Sequence, residues 1–193
     1  MKEKEKKDLL TGIGFLSAFI LWTILIQCID VQEVGPNGTK IGFAAFNVWF
    51  HRLTGVHMAL YTVTDWLGLI PIFICLCFGV LGFSQLIRRR SLFRVDPDLL
   101  LLGVYYVLVI MAYLLFEMIP INYRPILMEG RLEASYPSST TLLVLSVMPT
   151  LIFQMKHRSS NVSLKAATFF ASVFSVFMVI GRLFSGVHWA TDI

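Results

Sequence analysis

The chain has 193 residues, of which 56% are hydrophobic and only 15% are charged, and its formal net charge is +4. Soluble globular domains carry about a quarter charged residues, so this composition excludes an ordinary soluble domain and indicates a membrane protein. The mean hydropathy of +0.74 agrees with that interpretation. All three cysteines, Cys28, Cys75 and Cys77, lie within apolar runs, and this pattern does not suggest a disulfide or metal framework.

Five apolar runs predict an all-α membrane protein built as a helical bundle, because a membrane span needs roughly 20 apolar residues. The first run is too long for the hydrophobic region of a cleaved signal peptide, so it is interpreted as a span. Only one charged residue, Glu117, falls inside any of the five runs. The runs are Leu9–Ile29, Trp66–Ile87, Leu99–Ile121, Ser138–Met155 and Ala166–Gly181.

The basic residues cluster in three segments that an alternating arrangement of spans places on one side of the membrane. This bias predicts a cytoplasmic N-terminus by the positive-inside rule, so the net charge indicates topology and not a nucleic-acid partner. The expected location is the plasma membrane of a bacterial cell. Eleven of the 16 Lys and Arg residues are involved: Lys2, Lys4, Lys6, Lys7, Arg88, Arg89, Arg90, Arg94, Lys156, Arg158 and Lys165.

Between the first two runs, residues 41–62 have the pattern of an amphipathic helix on the external side. Such a helix, rich in aromatic residues, is expected to lie in the membrane interface. Its apolar face would carry Phe46, Trp49, Phe50, Leu53 and Leu60, and its polar face Asn47, His51 and Thr54.

The chain stops at Ile193, directly after a polar cluster that follows the fifth run. An odd number of spans ending in such a cluster suggests that a sixth span follows in the natural protein. We therefore interpret residues 1–193 as one integral-membrane domain that is truncated before its last span.

Three arginines, Arg124, Arg131 and Arg182, fall on the predicted external side, where the charge bias disfavours them. They are either ordinary loop residues or ligands of an anion, since a guanidinium matches phosphate oxygens bidentately.

The stretch YPSSTT, residues 136–141, follows Arg124 and Arg131 in the chain. A Pro137 at the first helical position would leave the amides of Ser138, Ser139 and Thr140 at a helix N-terminus, which is either a plain helix start or an anion site.

The last candidate pair is His188 and Asp192, which are four residues apart and would share a face on a helical turn. The pair is either a polar contact at the membrane interface or a reactive one. In the reactive interpretation the carboxylate keeps one ring nitrogen protonated and leaves the other as a nucleophile.

The segments NYRPILMEGRLEASYPSSTT and GRLFSGVHWATD resemble the type 2 phosphatidic acid phosphatase superfamily of integral-membrane lipid phosphatases. That family has the motifs Lys-x6-Arg-Pro, Pro-Ser-Gly-His and Ser-Arg-x5-His-x3-Asp. The resemblance implies a six-span bundle with its site on the outer face, His188 as the nucleophile that forms a phosphohistidine, and Asp192 as its orienting partner. It also implies that Arg124 and Arg182 bind the phosphoryl oxygens, with Ser138 and Ser139 assisting, and that no metal or other cofactor is needed.

Four positions depart from the family motifs: Glu117 replaces the Lys, Ser139 replaces the Gly, Thr140 replaces the His that protonates the leaving group, and Gly181 replaces a Ser. A threonine hydroxyl is not an effective proton donor near neutral pH. Another acid could take its place, with Glu129 and Glu133 as the nearest candidates, while Arg131 could supply the missing Lys charge.

The expected function is therefore hydrolysis of a phosphorylated lipid at the bilayer. Polyprenyl diphosphates are favoured, because their leaving group is already stable as an anion. The alternative is a catalytically impaired protein that binds phosphorylated lipids without hydrolysing them. A transporter is disfavoured, because only Glu117 places a charge within a span.

Overall fold

A computed structural model describes residues 3–158 and 163–193 of the chain. Lys2, which contributes to the charge bias described above, lies outside the described residues. Seven α-helices follow one another in these ranges: α1 Glu3–Cys28, α2 Ala44–Thr54, α3 Met58–Leu67, α4 Leu69–Arg89, α5 Pro97–Met118, α6 Ser139–Arg158 and α7 Ser163–Phe184.

Within the described ranges, five helical segments are long and apolar enough to cross a membrane: Glu3–Cys28, Met58–Arg89, Pro97–Met118, Ser139–His157 and Leu164–Phe184. The prediction of an all-α membrane protein with five visible spans is thus confirmed. The second span begins earlier than predicted, because α3 runs almost directly into α4 at Gly68. Asp65, which directly precedes the second predicted run, therefore lies inside a helix.

The predicted amphipathic helix over residues 41–62 is wrong in its length. Helix α2 ends at Thr54, since Gly55 adopts a positive φ of 69° and donates its N–H to the carbonyl of His51. Leu60 consequently belongs to α3. The two faces of α2 are as the pattern indicated: Trp49 and Leu53 are more than half exposed, whereas Asn47 is fully buried.

Helices α6 and α7 pack against each other around a small apolar core formed by Val144, Met148, Ala171 and Met178. The segment after α7 then folds back over the bundle. A Cβ at Gly186, which has a positive φ of 67°, would lie 1.9 Å from the carbonyl oxygen of Gly55, so only glycine allows this close approach. His57 N–H donates to the carbonyl of Ser185 at 2.9 Å and holds the same junction.

The chain end is fixed by side chains from the first half of the protein. Asn47 of α2 donates its side-chain amide to the Thr191 hydroxyl at 2.8 Å, and Trp22 of α1 donates its indole N–H to the Thr191 carbonyl at 3.1 Å. The residues that the sequence singled out after α7 are therefore held at one end of the bundle, beside the beginning of α6.

Candidate active site

The loop between α5 and α6 is a short antiparallel ribbon with bridges between Tyr123 and Ala134 and between Met128 and Arg131. Main-chain bonds join Arg124 to Glu133 at 3.0 Å and Ser135 to Asn122 at 2.9 Å. This pairing places Arg124 on one strand of the ribbon and Ser135 on the other. The Ser135 hydroxyl reaches His188 in the segment after α7, whereas the Arg124 side chain reaches Tyr61 of α3.

His188 is buried, and its ring is oriented by Ser135. The ring Nδ1 lies 3.0 Å from the Ser135 carbonyl oxygen and 3.2 Å from the Ser135 hydroxyl. A carbonyl oxygen only accepts hydrogen bonds, so this contact places the proton on Nδ1 and leaves the Nε2 lone pair unprotonated. Nε2 is buried and has no hydrogen-bond partner among the described residues.

Asp192 does not contact the imidazole as the sequence predicted, and that prediction is corrected. The peptide at Trp189 is extended and a 3-10 turn covers Ala190–Asp192, so His188 and Asp192 do not share a helical face. The Asp192 carboxylate instead accepts a hydrogen bond from the Asn122 side-chain amide at 2.7 Å. Burial raises the pKa of Asp192 to about 6, although side-chain hydrogen bonds from Ser135 and Asn122 oppose this shift. Asp192 thus contacts Asn122 and Ser135 of the ribbon, and Ser135 in turn orients the His188 ring.

Two arginine side chains meet around the ring of Tyr61 in α3. The guanidinium carbon of Arg182 lies 4.4 Å from the ring centroid and that of Arg124 lies 5.7 Å from it. Each guanidinium also has an acidic partner: Arg124 Nη2 is 3.2 Å from a Glu133 carboxylate oxygen, and Arg182 Nη2 is 3.4 Å from an Asp65 carboxylate oxygen.

Arg182 is only 1% exposed, yet its hydrogen bonds are long. They reach the Tyr61 carbonyl at 3.4 Å, the Thr64 hydroxyl at 3.5 Å and Asp65 at 3.4 Å, and its Nε has no partner among the described residues. A buried guanidinium normally has well-made partners, because leaving a buried donor unsatisfied costs about 1–3 kcal/mol or more. Arg182 therefore retains donors that an anion can use.

The beginning of α6 differs from the sequence prediction by two residues. The helix begins at Ser139, so Pro137 precedes it and is not its first residue. Ser138 donates its amide to the Asp192 main-chain carbonyl at 2.8 Å, and that amide is thus not available to an anion. The Ser138 hydroxyl, in contrast, is buried without a hydrogen-bond partner among the described residues. The first-turn amides from Ser139 onward still form a helix N-terminus, which favours an anion.

A polar cavity of about 210 Å³ brings several of these groups together. Arg124, Ser139 and His188 all line it, and Glu117 and Glu133 line it as well. Arg182 does not line the cavity, but it lies close enough for its charge to act on both His188 and Arg124. The candidate nucleophile, one guanidinium and a helix start thus line one cavity, with the second guanidinium nearby.

A second, apolar groove of about 350 Å³ lies between α4, α5 and α6. It shares Tyr113 and Ser139 with the polar cavity, so the two spaces adjoin. The rest of its lining is mainly aliphatic, with Asp65 and Thr140 as polar members: Asp65, Gly68, Leu69, Ile72, Val109, Ile110, Thr140, Leu142 and Leu143. A molecule with an apolar tail and an anionic head fits this pair of spaces.

The remaining sequence candidates divide into two groups. Glu133 lines the polar cavity, but Glu129 and Arg131 lie at the exposed turn of the ribbon, where Glu129 has a positive φ of 49°, and neither lines the cavity. Thr140 is buried and faces the apolar groove. The structure therefore gives no support to Glu129 as the acid or to Arg131 as a substitute for the missing Lys.

Four residues that the sequence did not single out contribute to the site: Tyr61, Asp65, Asn122 and Ser135. Of these four, Asp65 could have been noticed in the sequence, because it is a charged residue at the edge of an apolar run. The other three are ordinary polar residues, and only the fold brings them beside Arg124, Arg182 and His188.

No protein-family model matches the chain, and no curated protein matches its sequence. Among solved structures, the chain is similar to that of a transmembrane PAP2 type phosphatidylglycerolphosphate phosphatase from Bacillus subtilis, at 18% sequence identity and a TM-score of 0.61. The similarity covers 92% of this chain and 85% of that one. The chain has the PAP2 phosphatase fold. The sequence prediction of that fold is therefore confirmed.

Within this PAP2 fold, the packing explains why Gly181 stands where the motif has a serine. A Cβ at Gly181 would lie 2.7 Å from the Thr64 Cγ2 atom, which is closer than real side chains approach. Thr64 is buried and contacts Arg182, so α3 and α7 pack too tightly here for any side chain at position 181.

Replacing Gly181 by serine is expected to destabilise the protein by about 1–3 kcal/mol, because the added atoms must push α3 away from α7. Thermal unfolding of the detergent-solubilised protein would measure the change. Gly79→Ser is the matched control, since a Cβ at Gly79 meets nothing within 4 Å. Equal unfolding temperatures for the two variants would contradict this packing account.

A second prediction concerns the protonation state of His188. Burial, followed by the positive charges of Arg124 and Arg182, holds the pKa of His188 well below its usual value. The imidazole is therefore expected to stay neutral through pH 6.5 and to gain a proton only in more acidic solution. In NMR spectra of histidine-labelled protein, the His188 ring signal, assigned with His188→Gln, should titrate with a midpoint well below pH 6.5. A midpoint at or above 6.5 would contradict this prediction.

Proposed function

We propose that this protein is a membrane phosphatase that removes a phosphoryl group from a lipid, with His188 as the nucleophile. The observation that carries the proposal is the buried, unpartnered Nε2 of His188, in a residue that lines the polar cavity with Arg124 and lies close to the charge of Arg182. The PAP2 fold supports the same activity, since the similar structure from Bacillus subtilis is that of a phosphatidylglycerolphosphate phosphatase. The adjoining apolar groove supports a lipid substrate over a water-soluble phosphate ester.

In the proposed reaction, Arg124 and Arg182 bind the phosphoryl oxygens and stabilise the charge of the transition state. As the Nε2 lone pair of His188 attacks phosphorus, the bond from phosphorus to the leaving oxygen of the lipid breaks, while the Ser135 carbonyl holds the Nδ1 proton. This contact stabilises the positive charge that develops on the ring. The resulting phosphohistidine is hydrolysed by water. No step of this reaction needs a metal, because the guanidiniums neutralise the phosphate.

We further propose that the site lies on the extracytoplasmic face. The ends of α5 and α7 and the start of α6 meet at the site. By alternation of the helices, the N-terminal lysines and the arginines after α4 therefore lie at the other end of the bundle. The positive-inside rule assigns that basic end to the cytoplasm.

Polyprenyl diphosphates remain the favoured substrates, alongside lipid monophosphates such as phosphatidylglycerolphosphate, the substrate in the name of the similar protein.

The ion pairs of Arg124 with Glu133 and of Arg182 with Asp65 favour a second candidate, namely a protein that binds phosphorylated lipids without hydrolysing them. In this interpretation the carboxylates compete with phosphate for both guanidiniums and leave the bound lipid badly placed for attack.

One experiment separates these two functions. The purified full-length protein in detergent is incubated with phosphatidic acid, phosphatidylglycerolphosphate, farnesyl phosphate and farnesyl diphosphate, and inorganic phosphate is measured. Release above that of His188→Ala on any of the four supports the phosphatase. Binding of these lipids with no release would support the second candidate.

A further inference from the structure

The motif residue that would protonate the leaving group is absent from this chain, and the following inference rests on the phosphatase function proposed above. Thr140 occupies the motif position of the acid, and its hydroxyl is not an effective donor near neutral pH. An alkoxide is a poor leaving group, so hydrolysis of a lipid monophosphate needs a proton from some other residue.

The two adjoining spaces define where that proton is needed. The phosphoryl group lies in the polar cavity with His188, and the lipid tail lies in the apolar groove. The oxygen that joins them must then lie at the junction, where Tyr113 and Ser139 line both spaces. A general acid has to reach this junction from the groove side, opposite the attacking Nε2.

Asp65 meets this requirement. It lines the apolar groove, and the only other titratable group among the described groove residues is the Tyr113 phenol. The Asp65 side chain is 56% exposed and is thus accessible to a substrate. One turn further along, a Cβ at Gly68 would lie 3.4 Å from the Thr140 Cγ2 atom, so this part of the helix packs against the motif position of the missing acid.

We propose that Asp65 is the general acid and base of the reaction. As the bond from His188 Nε2 to phosphorus forms, the bond from phosphorus to the lipid oxygen breaks, and that oxygen takes the carboxyl proton of Asp65. The products of this step are a lipid alcohol, a phosphohistidine and an Asp65 carboxylate. In the second step the carboxylate accepts a proton from the attacking water, the bond from Nε2 to phosphorus breaks, and Asp65 is protonated again.

The pairing of Asp65 with Arg182 places the proposed acid beside a proposed phosphate ligand, since Arg182 Nη2 lies 3.4 Å from an Asp65 carboxylate oxygen. A phosphate bound to Arg182 would therefore lie next to the Asp65 carboxyl group.

The test compares two substrates that share one lipid tail but differ in leaving group. Farnesyl phosphate must expel an alkoxide, whereas farnesyl diphosphate expels farnesyl phosphate, which is stable as an anion. Asp65→Asn is expected to lower kcat/KM for phosphate release from farnesyl phosphate by about 10²-fold or more, and from farnesyl diphosphate by less than about tenfold. Asp65→Glu keeps the carboxyl group and should recover part of the loss on farnesyl phosphate.

Glu133→Gln is the matched control, because it removes the same charge beside the other guanidinium and should change both substrates by a similar factor. Equal losses on the two substrates with Asp65→Asn would overturn the proposal and indicate that Asp65 only supports Arg182. If Asp65→Asn does not fold, Asp65→Ser gives the same comparison. A wild-type protein that releases no phosphate from any of the four lipids named above would overturn the phosphatase function itself, whereas release with no effect of Asp65→Asn would overturn only the role of Asp65.

Discussion

Replacing His188 by alanine is expected to reduce phosphate release from lipid substrates by on the order of 10⁴-fold or more, since the removal of a nucleophile usually abolishes most catalysis. The expectation follows from the geometry of the ring. Its Nδ1 proton is fixed by the Ser135 carbonyl at 3.0 Å, and its Nε2 is buried, unprotonated and close to two guanidiniums. No other imidazole of the described residues lines the polar cavity.

The measurement is the initial rate of phosphate release from farnesyl diphosphate by the purified protein. His57→Ala is the matched control, because the exposed His57 ring bonds only to the Thr54 carbonyl in its own loop and does not line the polar cavity. The control should keep the wild-type rate. A His188→Ala protein that retains more than about a tenth of the wild-type rate would rule out His188 as the nucleophile, because a nucleophile's loss costs far more.

The second large effect is expected from Arg182→Lys, a change that keeps the charge and removes the planar fork. Arg182 is fully buried, its hydrogen bonds are 3.4–3.5 Å long, and its Nε is unpartnered among the described residues. A lysine offers a point charge in place of two parallel donors. The loss of a transition-state donor of this kind typically costs about 10²–10³-fold in kcat.

The control for this prediction is Arg52→Lys, the same chemical change at an exposed position on α2. Thermal unfolding of both variants would show whether Arg182→Lys also affects folding. If Arg182→Lys keeps full activity with an unchanged kcat, Arg182 has only a structural role between α3 and α7, and the proposed anion site is wrong.

The membrane architecture could be predicted from the sequence because charge-free runs are a direct requirement of the bilayer. All five predicted spans correspond to helices of sufficient length and apolarity. The errors lie at the helix ends. Thr64 and Asp65 are polar and so fall outside the second predicted run, but they belong to α3 and their side chains contact Arg182. The sequence pattern gives no sign of this tertiary contact.

The candidate site was predicted less completely. Motif spacing singled out Arg124, Arg182 and His188, and the structure brings these three residues around one site, although their catalytic roles stay predictions. The direct contact between His188 and Asp192 was wrong, because a spacing of four residues implies proximity only on a continuous helix. The chain there is extended and then turns, so Ser135 from a different segment orients the imidazole.

The most direct test of the account is to trap the phosphorylated protein. The purified chain is mixed with farnesyl diphosphate radiolabelled on its terminal phosphorus, quenched in alkali and digested, and the labelled peptide is sequenced. The account predicts an alkali-stable, acid-labile label on His188 that forms and decays at least as fast as phosphate is released. Full phosphate release with no label on His188 would contradict it.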